Sequence, residues 1–150
     1  SPVGLMHVIR EMKKTRAIFG GEGNGGVVYP RLHYGRDALV GTALFLSYIA
    51  EANAPVSQLR SRYPKYEMAK EKLALAHMDD AEKIFLRIKK IAKGGKIDTR
   101  DGVKIDFPDS WVHIRRSNTE PLVRIYTEAP TKTRAEALAG EWKRKLNSLL

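Results

Sequence analysis

Leu5, Val8, Ile9 and Met12 recur at the three- and four-residue spacing that gathers apolar side chains on one stripe of a helix. The basic run 13–16 ends that pattern, and residues 17–19 (Ala-Ile-Phe) read as a short strand. The stretch 20–26 is Gly-Gly-Glu-Gly-Asn-Gly-Gly, and it is expected to be irregular because glycine favours neither helix nor strand. Residues 27–29 (Val-Val-Tyr) resume as a strand, stopped by Pro30. Asp37 reads as the N-cap of a helix running to about Asn53. That helix is apolar on most faces, which predicts burial between layers. These elements are too few for a complete small domain and read as the end of a larger α/β one.

Residues 54–65, with Pro55, Pro64 and a polar, basic stretch between them, read as a linker. A second unit comes after it. Residues 66–76 suit a strand, and Asp79 with Glu82 resembles a capping box for a helix with the stripe Ala81, Ile84, Phe85, Ile88 and Ile91. Gly94 and Gly95 close it. Asp101-Gly102 marks a hairpin within 96–107. Residues 111–115 and 122–128 alternate as strands around a loop at 116–121. Thr133 with Glu136 predicts the start of a last helix with the stripe Ala135, Leu138, Trp142 and Leu146. The fold class expected is therefore an α/β fragment (1–53), a linker (54–65) and an α+β domain (66–150) of order β-α-β-β-β-β-α, its antiparallel sheet carrying two helices.

Composition narrows the partners without choosing one. The chain has 150 residues, no Cys, 27 basic and 17 acidic residues, and a net charge of +10. Disulfides and thiolate chemistry are excluded, and a reducing cytoplasm fits. No apolar run reaches the roughly 18 residues of a membrane span, and the basic start lacks a signal-peptide core. The surface favours anions, whether nucleic acid, acidic lipid or phosphorylated metabolites.

Two segments carry candidate chemistry. Gly21-x-Gly23-x-x-Gly26 satisfies the dinucleotide-binding spacing, but a strand comes next where that motif needs a helix N-terminus, so the reading fails. The segment is either a plain hairpin turn or a loop whose backbone approaches a ligand. Glu22 and Asn24 are suited to sugar hydroxyls, and Glu22, flanked by glycines, is expected to be exposed and to pack little. In 115–124, Arg115, Ser117, Asn118, Thr119 and Arg124 form either a phosphate cradle or ordinary turn chemistry beside exposed arginines. Strand alternation puts His113 and Arg115 on one face, with Arg116 pointing away. The four histidines show no metal-ligand spacing, so no metal site is expected; His33 stands out by its place after the glycine loop among Arg31, Tyr34 and Arg36. The basic run 60–72 reads as a solvated linker, not as a nucleic-acid site.

Together the two loops resemble those of the α-D-phosphohexomutase superfamily, in its archaeal-type phosphomannomutase/phosphoglucomutase branch. The segment 20–26 resembles the sugar-binding loop, and Arg115-x-Ser117-Asn118-Thr119-x-Pro121-x-x-Arg124 resembles the phosphate-binding loop. The resemblance implies the end of the third domain and the whole fourth domain of a four-domain isomerase that interconverts hexose 1- and 6-phosphates through a bisphosphate. The phosphoserine loop and the magnesium loop lie upstream in that family, so this chain alone is expected to be inactive, with no catalytic nucleophile and no cofactor of its own. By the same resemblance Gly21, Glu22 and Asn24 hold the sugar. Arg115, Ser117, Asn118, Thr119 and Arg124 hold the phosphate that is not transferred. Many bacterial relatives carry Ser in place of Asn24 and His in place of Gly26, which leaves His33 and Arg36 as the nearest candidates for a sugar-binding or acid/base role. The expected partners are a glucose or mannose phosphate and the upstream domains, with neither nucleic acid nor membrane. A stand-alone anion-binding module and a nucleic-acid-binding α+β domain are the alternatives.

Overall fold

Helix α1 (Leu5–Thr15) buries Ile9 and Met12, and Arg16 ends it in the left-handed conformation with its N–H on the Met12 carbonyl. Met12 also meets the chain beyond the helix. Its sulfur lies where a Cβ at position 20 would stand, so the thioether packs directly on the glycine backbone. The first strand is β1 (Gly20–Gly21), not the 17–19 segment expected from its apolar residues, and Ile18 and Phe19 are exposed. The pairing of Gly20 with Val28 and of Gly21 with Val27, not side-chain propensity, defines the strand. β1 pairs antiparallel with β2 (Val27–Tyr29), which pairs with β3 (His33–Arg36), a strand that its polar sequence does not announce.

Helix α2 (Ala38–Ala52) starts where expected, with the Asp37 carboxylate accepting from the Val40 amide at 2.9 Å. It is not buried, however. None of its residues reaches the core, and Leu39 is 84% exposed. A three-stranded sheet covers one side of a helix that is apolar on most sides. The segment 54–65 holds a further helix, α3 (Val56–Ser61), with Leu59 buried, in place of an irregular linker.

In this computed structural model the chain divides into two units, Ser1–Pro64 and Lys65–Leu150. All residues are described except Met78 and Asn118, with Lys89 described by its backbone only. The second unit keeps the predicted order: β4 (Glu67–Ala74), α4 (Asp80–Ile91), β5 (Lys96–Asp98), β6 (Val103–Asp106), β7 (Trp111–Arg116), β8 (Leu122–Ala129) and α5 (Lys132–Asn147). The strands form one antiparallel sheet in the order β4-β8-β7-β6-β5. Alternate residues, among them Leu73, Val112, Ile114, Val123 and Ile125, are buried in one core with Ile84 and Ile88 of α4 and Leu138, Trp142 and Leu146 of α5. Both helices thus cover one face of the sheet, and the other face is left open.

Two caps differ from expectation. Asp79 makes no capping bond; the Asp80 carboxylate instead accepts from the His77 amide and pairs with Lys83. Thr131, not Thr133, caps α5 by accepting from the Arg134 amide at 3.2 Å. β8 stays paired to Ala129, so the helix begins directly after a two-residue corner.

Candidate functional site

In the first unit the glycine stretch closes as a tight hairpin. The Glu22 amide donates to the Gly26 carbonyl at 2.9 Å and the Gly25 amide to the Glu22 carbonyl at 3.0 Å, with Gly25 at a φ of 91°. The Asn24 side-chain carbonyl accepts from the Gly26 amide at 3.1 Å, which braces the turn and leaves the two amide protons of Asn24 for other use. A Cβ at Gly26 would meet the Arg36 side chain at 2.6 Å, so Arg36 lies across the loop. Its guanidinium is 3.7 Å from Glu22 Oε2. Glu22 is only 13% exposed, which corrects the expectation of an exposed carboxylate: Arg36, arriving from β3, is the group that covers it. Oε2 is buried and accepts no hydrogen bond from any described residue. A carboxylate oxygen in that condition costs about 1–3 kcal/mol unless a donor reaches it.

His33 donates from Nε2 to, or shares a proton with, Asp37 Oδ2 at 3.0 Å, while the other oxygen of Asp37 caps α2. These bonds, the Val40 amide first and His33 second, hold the Asp37 carboxyl below the usual carboxylate range. The register seats Tyr29 opposite His33 and Val28 opposite Arg36, so the two candidate acid/base residues stand on one short strand beside the glycine hairpin.

In the second unit Arg115 of β7 lies directly opposite Arg124 of β8 on the open face of the sheet. Arg116 turns to the other face and reaches Glu82 of α4 at 3.9 Å, as alternation predicts. Arg115 is 3.4 Å from Asp101 at the tip of the β5–β6 hairpin, and His113 is hydrogen-bonded to the Asp101 carbonyl at 2.6 Å. The atom that faces Asp101 is Arg115 Nε, which is buried and makes no hydrogen bond of good geometry. The turn itself is held by the Ser117 amide on the Leu122 carbonyl at 2.9 Å, and the Thr119 amide donates to Ser117 Oγ at 3.4 Å. Ser117 is buried, Thr119 is exposed, and the predicted Asn118 lies outside the described residues. β4 adds a residue that sequence reading assigned to a solvated run. Lys72 is directly opposite Arg124 and shares its face. Pairing register is the signal that finds it, and register joins residues far apart in the chain.

Among the described residues no group of three His, Asp or Glu side chains is placed to hold a metal ion, and no helix is long and apolar enough to cross a membrane.

The chain thus consists of a three-stranded sheet carrying a glycine hairpin, followed by an antiparallel sheet backed by two helices with an arginine-flanked turn. Comparison with known proteins identifies it. Residues 65–145 match the family model described as phosphoglucomutase/phosphomannomutase, C-terminal domain, and residues 1–66 match that family's alpha/beta/alpha domain III. The chain belongs to the phosphoglucomutase/phosphomannomutase family. It is 39% identical over 136 residues to a phosphoglucomutase/phosphomannomutase of Thermococcus kodakarensis, covering 89% of this chain and 29% of that protein. It is 35% identical over 144 residues to a phosphoglucosamine/phosphogalactosamine mutase of Sulfurisphaera tokodaii, covering 95% of this chain and 32% of that one. A crystal structure of a phosphoglucomutase/phosphomannomutase family protein from Burkholderia thailandensis superposes with a TM-score of 0.76 at 25% identity, over 98% of this chain and 31% of that chain. The chain therefore spans less than a third of the length of these relatives.

Proposed function

We propose that this chain supplies the sugar- and phosphate-gripping part of a phosphohexomutase, an isomerase that moves a phosphoryl group between the 1- and 6-positions of a hexose. One observation carries the reading. The buried side-chain polar atoms left without a hydrogen bond among the described residues are Glu22 Oε2 and Arg115 Nε, one in each loop singled out from sequence. The first is an acceptor and suits a sugar hydroxyl; the second is a donor and suits a phosphate oxygen.

On this reading Glu22 accepts from two neighbouring hydroxyls, the amide protons of Asn24 donate to a third group, and Gly21 and its neighbours admit the ring close to the backbone. Arg36 sets the charge over the glycine loop. His33, held by Asp37, is the candidate to take or return a proton at the sugar oxygen. Arg115 and Arg124 grip the phosphate that stays in place with charge-assisted bonds, and Ser117, Asn118 and Thr119 complete the turn around it. Arg36 is a second candidate for proton transfer only in name, because a guanidinium stays protonated.

On this reading magnesium and a phosphorylated serine act elsewhere in the enzyme than at the residues named above. On the same reading these residues bind the substrate, and their natural partners are the other domains of the same enzyme in the cytoplasm. Glucose and mannose phosphates are the expected ligands; the relatives named as phosphoglucosamine mutases add amino-hexose phosphates as a second class.

The test is a titration of the chain with glucose 1-phosphate, read by amide NMR. Binding on the order of 1 mM, with shifts confined to 21–26, 33–37 and 115–124, is the expected result. Shifts spread evenly over the cationic surface, or absent from both loops, overturn the reading.

A further inference from the structure

The pairing register places Lys72 of β4, Arg124 of β8 and Arg115 of β7 in one unbroken row across three neighbouring strands. All three lie on the open face, since Leu73, Val123 and Ile114 beside them are buried under the helices. Residues directly opposite in a sheet stand about 5 Å apart, and like charges there destabilise the pairing. Two such pairs occur side by side in this row. Arg115 has one acidic neighbour, Asp101, at its outer end. Neither Arg124 nor Lys72 has an acidic partner among the described residues, although other cations of this sheet do: Lys104 is paired with Asp106, and Arg100 with Asp98. Uncompensated charge therefore lies on the open face beside the 117–121 turn, with Lys70 of β4 further along the same face. Arg115 Nε, buried and facing Asp101 without a hydrogen bond, lies in the same row.

We infer that Lys72 is a third cation of the phosphate site, so that the anion is held by a ladder across β4, β8 and β7 and not by the loop and its two flanking arginines alone. This rests on the phosphate-binding role proposed above for 115–124. The chemical division comes from the side chains. The arginines offer planar forks for directed bonds to phosphate oxygens, while the ammonium of Lys72, on a long flexible stem, adds a mobile charge that tolerates different positions of the phosphate. A dianionic phosphomonoester is the ligand that matches. It brings two negative charges to one point, whereas a nucleic acid strand spreads single charges over a length greater than this row.

Inorganic phosphate is the probe, titrated into the full 150-residue chain with the amides of 115–124 as the readout. Lys72→Gln is expected to weaken binding about fivefold at low ionic strength, with the difference shrinking as salt is added. Lys72→Arg is expected to retain affinity. Lys90→Gln, on α4, serves as the control and should leave affinity unchanged. Without phosphate, Lys72→Gln should melt at the same or a higher temperature than wild type, because it removes a like-charge contact. Unchanged phosphate affinity in Lys72→Gln, with wild-type shifts still at 115–124, overturns the ladder and leaves the loop site standing. No shifts at 115–124 in wild type would remove the loop site itself. Displacement of phosphate by equal concentrations of single-stranded oligonucleotide would show a polyanion surface and also overturn the proposal.

Discussion

Replacing Glu22 with Gln separates the charge of one buried oxygen from its shape. The amide still fits under Arg36 but offers a single neutral acceptor, so affinity for glucose 1-phosphate should fall by about tenfold, the scale of one hydrogen bond to a charged group. Thermal stability should hold or rise, because a carboxylate oxygen with no donor no longer has to be kept from water. Calorimetric titration alongside thermal melting checks both; lower stability with unchanged affinity would make Glu22 a packing residue. At this scale the candidate residues are legible in the sequence, since a carboxylate and an amide among glycines, and Arg-Ser-Asn-Thr after an alternating strand, state their chemistry in their order. The burial of Glu22 is not legible. It depends on Arg36 folding back from another strand, and Lys72 is hidden for the same reason, because its neighbours in space are Arg124 and, one strand further, Arg115.

Asp37 joins two elements, the start of α2 and the first residue of β3, through one carboxylate. Its folded pKa lies below the ordinary value near 4, so the stability it contributes is complete above that value and is lost as pH falls through the lower folded one. Acidification from about pH 6 to about pH 2 should therefore loosen the first turn of α2 and free His33 together. Amide exchange at 38–41 reads the first event and the His33 ring resonances read the second; loss of one without the other would break the proposed connection. Elements with a strong period were readable: the stripes of α4 and α5 and the alternation of β7 and β8 fall where the apolar residues put them. Elements set by strand pairing across the chain were not. β1 is a glycine pair that joins β2, and β3 a polar segment that completes an edge, neither of which periodicity records.

The two units differ in how well they close. Lys65–Leu150 encloses a continuous core, while Ser1–Pro64 leaves Leu39, Phe45 and Leu46 of α2 exposed beside an open groove of about 670 Å³. The apolar character of α2 was readable from its residues, but what covers a helix is not written in the helix. At high concentration the chain should self-associate through this flank, and Leu39→Glu with Leu46→Glu should keep it monomeric by analytical ultracentrifugation. A wild-type chain that stays monomeric throughout would count against that. The strict two-sidedness of β7 has a consequence for how this protein can vary in length. A single residue inserted between Trp111 and Arg116 would reverse the facing of every position beyond it. An insertion ahead of Val112 would turn Val112 and Ile114 toward water, set Ile114 in the place opposite Arg124 and press Arg115 against the helices. One added residue would then damage folding and ligand recognition together, so tolerance to insertion should end abruptly at the boundaries of this strand.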